Sequence, residues 1–95
     1  MIRHIVVWKY QENQEETMHR FLDALNALNG VIPEIRSMQT GVNCLPGGNY
    51  DACLIADFDD AEALSRYKND PRHKAAAAIC HSILVNRVAV DFELR

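Results

Sequence analysis

Ile2-Arg3-His4-Ile5-Val6-Val7-Trp8 decides the fold of this chain. The run is rich in β-branched and aromatic residues and too short for a helix, so it reads as a strand. Alternation puts His4, Val6 and Trp8 on one face and Arg3, Ile5 and Val7 on the other. Both faces are largely apolar. A strand whose sheet is solvated on one side alternates apolar with polar, so this one calls for cover on both sides.

Outward from that strand the period changes. Between Asn13 or Gln14 and Asn29, Met18, Phe21, Leu22, Leu25 and Leu28 recur at spacings of three and four, the apolar stripe of a helix lying on a sheet. Glu15 and Glu16 suit its positive end, and Gly30 suits its exit. Ile35 to Val42 reads as a second strand interrupted by polar residues. The cluster Asn43 to Asn49, with Pro46-Gly47-Gly48, is a turn joining antiparallel strands. Tyr50 to Phe58 is the third strand, turning Ala52, Leu54, Ala56 and Phe58 toward the helices. A second helix runs from Ala61 to Lys68. Asp70-Pro71 breaks it and restarts it with an N-cap aspartate and a proline at the first helical position, the new piece reaching Cys80. Ser82 to Phe92 is the last strand, and Glu93-Leu94-Arg95 is a polar end.

The order β-α-β-β-α-β specifies an α+β, ferredoxin-like unit over residues 1–95: a four-stranded antiparallel sheet with its helices on one face. Arg3, Ile5, Val7, Cys53 and Ile55 then line the uncovered face. The simplest cover is the same face of a second copy, so a homodimer through the outer sheet face is expected. Burying about 800 Å² per subunit there would contribute on the order of 10 kcal/mol before association costs. Asp57 on that face is expected to pair across the dimer with Arg3 or Lys9.

Composition narrows the function. A chain with 48% hydrophobic and 24% charged residues is ordinary for a folded domain. A net charge of -3 without a Lys/Arg run argues against a nucleic-acid partner. No run approaches the roughly 20 apolar residues of a membrane span, and the start carries no leader pattern, so a cytoplasmic location is the default expectation. Cys44, Cys53 and Cys80 lack zinc or disulfide spacing and are expected as buried or half-buried thiols. The histidines at 4, 19, 73 and 81 form no HxH, HxxxH or HExxH group, so no metal is expected. Gly47-Gly48 lacks the Lys-Ser/Thr and the strand-to-helix setting of a phosphate loop, and no cofactor is implied.

The opening Met1-Ile2-Arg3-His4-Ile5-Val6-Val7, the segment Tyr67-Lys68-Asn69-Asp70-Pro71-Arg72-His73 and the ending Val90-Asp91-Phe92 together resemble the stress-responsive α/β-barrel (Dabb) family. The resemblance implies a ferredoxin-like subunit that pairs sheet to sheet into a dimeric α+β barrel. The branch with clear chemistry is a cofactor-free plant polyketide cyclase, in which a tyrosine and a histidine at a pocket mouth promote an intramolecular aldol closure. By that likeness the catalytic pair falls on Tyr67 and His73, and the strand-one pocket histidine falls on His4. The apolar pocket wall falls on Val6, Trp8, Phe21, Leu25 and Leu54. Leu25 stands where the cyclase has a tyrosine, and Trp8 is bulkier than its cyclase counterpart.

Each candidate also has a plain structural role. An imidazole at His73 titrates near neutrality and can take a proton from a carbon acid, or it can pack on Tyr67 and bond a carbonyl. The Tyr67 hydroxyl can donate to an enolate oxygen, or sit at the rim of a core ring. His4 can contact a ligand, or be a satisfied pocket-lining residue. Three functions follow: a stress-response barrel protein binding a small apolar or aromatic ligand in an intrasubunit cleft, a cofactor-independent cyclase-like lyase, or a structural oligomer without a pocket. A cavity of about 300 Å³ or more between helices and sheet favours the first two, and a core filled to normal density favours the third.

Overall fold

A computed structural model describes residues 1–95. The chain runs β1 (Ile2–Tyr10), α1 (Glu15–Asn26), β2 (Ser37–Val42), β3 (Ala52–Phe58), α2 (Ala61–Asn69), α3 (Pro71–Ala78) and β4 (Leu84–Glu93). The strands form one four-stranded sheet in the order β2-β3-β1-β4, every neighbouring pair antiparallel. This is the expected β-α-β-β-α-β arrangement, with the second helical segment in two pieces.

The break between those pieces has a local cause. Asp70 is extended, with φ -65° and ψ 130°, and its side chain accepts from the Arg72 backbone N–H at 2.8 Å to cap α3. Pro71 follows at the first helical position, where its missing N–H costs nothing. Three turns use left-handed backbone, at Asn13 (φ 61°) before α1, Gly30 (φ 86°) after it and Gly47 (φ 87°) between β2 and β3.

The core lies between the helices and one face of the sheet. His4, Val6 and Trp8 of β1 are buried there with Ala52, Leu54, Ala56 and Phe58 of β3 and the α1 stripe Met18, Phe21, Leu22 and Leu25. The opposite face carries Ile5 and Val7, both half-buried, and an exposed Ile55. Register adds residues from β4 to that face: Val88 pairs with Val7, Val90 with Ile5 and Phe92 with Arg3, and all three are exposed. Directly opposed residues share a face, so an apolar stripe crosses β3, β1 and β4.

Two expectations are corrected. Arg3 and Asp57 are direct cross-strand neighbours, and Arg3 Nε and Nη2 donate to the Asp57 carboxylate at 2.9 and 3.0 Å within one subunit. Ser37 Oγ adds a third bond at 3.0 Å, so Asp57 is satisfied in its own chain and not through a pairing with a partner's Arg3 or Lys9. Cys44 lies exposed in the turn after β2, unlike half-buried Cys53 and buried Cys80, because nothing packs over that turn.

Candidate functional site

Tyr67 ends the buried side of α2, and its ring is fully enclosed. His73 stands in the first turn of α3. Because the extended Asp70 lies between them, their side chains are freed from the spacing of one continuous helix, and the rings meet with centroids 4.4 Å apart at 50°. Arg72 is held outside by the Asp70 carboxylate at 2.8 to 3.0 Å. On the other side Tyr67 packs on Phe58 at 5.0 Å, and Phe58 meets the His4 ring edge to face at 6.5 Å.

These side chains line a cleft of about 90 Å³ between helices and sheet. His4, Tyr67 and His73 all reach it, and Val6, Trp8, Phe21, Leu25 and Leu54 form much of its wall. Trp8 and Phe21 of that wall meet edge to face at 5.0 Å. The volume falls short of the roughly 300 Å³ expected of a ligand or substrate site, so size alone does not favour binding over a packed core, yet it exceeds the space of a single water. A larger groove of about 470 Å³ runs along Tyr10 to Glu15, but it is open and polar and takes none of the candidate residues.

Two polar atoms in the cleft have no protein partner. Tyr67 Oη and His73 Nδ1 are both buried and unbonded, whereas nearly all such atoms in folded proteins are paired. The Tyr67 hydroxyl is therefore enclosed and not at a solvent rim, and His73 bonds no carbonyl through Nδ1. His4 is different: its Nδ1 bonds the Asp91 carboxylate on the neighbouring strand. A carboxylate only accepts, so Nδ1 carries the proton and Nε2 is the acceptor.

Burial sets the protonation states. It holds His4 and His73 below the ordinary histidine value, against the raising effect of Asp91 on His4. The His4 ring lowers His73 further. Burial also pushes the Tyr67 phenol up to about 12. At neutral pH His4 and His73 are thus uncharged imidazoles beside a protonated phenol, a combination of proton acceptor and hydrogen-bond donor.

Residues 2–94 match the family model described as Stress responsive A/B Barrel Domain. The chain belongs to this family. An uncharacterised protein of Streptomyces coelicolor is 34% identical over 97 residues, which span 98% of this chain and 99% of that one. A dimeric protein of unknown function and ferredoxin-like fold from Bacteroides fragilis superposes with a TM-score of 0.93 at 30% identity, covering 98% of this chain and 95% of that chain. A dimeric ferredoxin-like protein of unknown function from Thermobifida fusca gives a TM-score of 0.87 at 35% identity, covering 98% and 90% respectively.

In this A/B barrel chain the cleft also recruits residues that the sequence pattern does not announce. Arg87 and Leu84 of β4, together with Ala77, Cys80 and His81, complete the lining, and Asp91 stands behind His4. Antiparallel register is the reason: β4 sets Arg87 opposite Trp8 and Asp91 opposite His4. The alternation of Arg87, Ala89 and Asp91 is a sequence signal for one strand face. That this face borders the cleft depends on which strand β4 joins.

Proposed function

We propose that this A/B barrel protein is a homodimer that binds a small carbonyl compound in the cleft of each subunit. The observation that carries the reading is the pair of buried, unpartnered polar atoms, Tyr67 Oη and His73 Nδ1, in one apolar-walled cleft. A core built only for packing loses stability by enclosing such atoms, whereas a ligand carbonyl gives the hydroxyl an acceptor. The small volume favours a compound of a few heavy atoms over a long polyketide chain.

The protonation pattern supports a second reading, cofactor-independent lyase or aldol-type chemistry in the same cleft. Neutral His73 takes a proton from the carbon beside the carbonyl, the C–H electron pair becomes the enolate double bond, and the charge gathers on an oxygen to which Tyr67 Oη donates. His4, oriented by Asp91, presents its Nε2 lone pair as a further acceptor.

The dimer uses the outer sheet face. Val88, Val90 and Phe92 of β4 are 45%, 54% and 41% exposed, forming with Ile5, Val7 and Ile55 an apolar surface that helices do not cover. Two relatives at 30% and 35% identity are dimeric, which supports the same assembly here.

The test is exchange of the α-protons of 2-butanone in D2O, followed by NMR with wild type and His73→Ala. Wild type should accelerate exchange, and His73→Ala should lose about 10²-fold of that acceleration with little change in melting temperature. Perturbation of the Tyr67 and His73 resonances by the ketone without accelerated exchange would leave binding as the function and remove the catalytic reading. No perturbation at all would remove both.

A further inference from the structure

The cleft has one charged wall residue whose role the proton chemistry does not use. Arg87 sits opposite Trp8 across the β1–β4 ladder, and Trp8 faces the helices, so the Arg87 side chain rises on the cleft side of the sheet. It makes no ion pair and no side-chain hydrogen bond. No aspartate or glutamate lines the cleft, so nothing there neutralises it. The nearest acid on its own strand face, Asp91, is committed to His4. Arg87 shares the cleft lining with His4, Tyr67, His73 and Cys80 and favours the deprotonated form of each.

An exposed guanidinium on the lining of a largely apolar cleft, with the enclosed Tyr67 donor on the same lining, forms a two-point site. The guanidinium offers parallel N–H groups that match a carboxylate in bidentate fashion. Tyr67 offers its hydroxyl to a neutral acceptor. A ligand that satisfies both ends carries an anionic carboxylate at one end and a carbonyl oxygen at the other, with little more than an apolar link between them.

We propose that Arg87 is the specificity residue of this cleft and that the ligand class is small oxo acids, held by a carboxylate on Arg87 with the carbonyl directed to Tyr67 and His73. The inference rests on the reading of the cleft as a carbonyl site and adds the charge of its ligand. Lys68, whose charge also reaches His4 and His73, does not line the cleft and is not the anchor.

Pyruvate and pyruvamide test it, because they have the same number of heavy atoms and differ in charge. Both are titrated into the full-length protein while the side-chain resonances of His4, Tyr67 and His73 are followed by NMR. Pyruvate should bind about tenfold or more tighter than pyruvamide, the step expected of a charge-assisted hydrogen-bonded contact. Arg87→Gln should erase that preference, Arg87→Lys should retain part of it, and Lys68→Gln should retain all of it. Equal affinity of the two compounds for wild type, or an unchanged preference in Arg87→Gln, would overturn the role of Arg87 while the ring shifts preserve the carbonyl site. A preference lost in Lys68→Gln instead would assign the anchor to Lys68. If neither compound shifts the three rings, the carbonyl reading fails together with the inference.

Discussion

Replacing Tyr67 by phenylalanine should make the protein more stable while weakening its hold on a ligand carbonyl. The Tyr67 side chain is fully buried, and its hydroxyl has no partner in the protein. An unmet buried polar group costs about 1–3 kcal/mol, and Tyr67→Phe removes it while leaving the ring in place. The contacts of that ring, with Phe58 at 5.0 Å and His73 at 4.4 Å, survive the change. The cavity grows by only one oxygen atom. A gain of about 1 kcal/mol or more corresponds to a rise of roughly 4–8 °C per kcal/mol for a domain of this size. The assay is a thermal melt paired with urea unfolding, at one protein concentration because a dimer's melting point depends on it. Tyr10 supplies a control: its hydroxyl is also buried without a partner but lies outside the cleft lining. Tyr10→Phe should likewise stabilise, and ligand binding should be untouched. A loss of 1 kcal/mol or more in Tyr67→Phe would show instead that the hydroxyl has a bonding partner in the free protein.

Val7→Asp should break the dimer, because it puts a charge in the apolar stripe between Cys53 and Val88. Sedimentation equilibrium should then show a 10.8 kDa species or an unfolded chain; wild-type mass and melting temperature would count against the outer face as the seam. A pH effect follows from the cleft histidines. Burial lowers the folded-state value of His4 and His73 below the ordinary 6.5, so the unfolded chain binds more protons as the pH falls through that value. Stability should therefore decline from pH 7.5 to pH 5.5 in urea unfolding, and the decline should shrink in His73→Ala; a flat profile would contradict the buried neutral state.

Several features of this molecule are written locally. The alternation of Ile2 to Trp8 specifies which residues of β1 share a face, and the spacing of Met18, Phe21, Leu22 and Leu25 specifies the buried side of α1, because both depend only on the geometry of a single element. Asp70-Pro71 marks the helix break by its own capping chemistry and backbone restriction, without reference to anything distant. The polar turn around Pro46-Gly47-Gly48 is legible for the same reason.

What the local pattern leaves open is register and depth. Arg3 can reach Asp57 in its own chain because the β1–β3 ladder sets the two side by side, a relation between residues 54 apart. His4 gains Asp91, and the cleft gains Arg87, through the β1–β4 ladder. One residue of slip in either ladder would send those side chains to the other face, and no feature of a single strand prevents that slip. The cleft volume is likewise a property of packing, since about 90 Å³ is what remains after Trp8, Phe21 and Tyr67 have filled the space between three elements. The sequence by itself determined the elements, their faces and the helix break, all consequences of backbone geometry within one segment. Only the tertiary structure decided which polar atoms would be buried without partners and which charge would stand beside them, because burial and pairing depend on strands brought together from opposite ends of the chain.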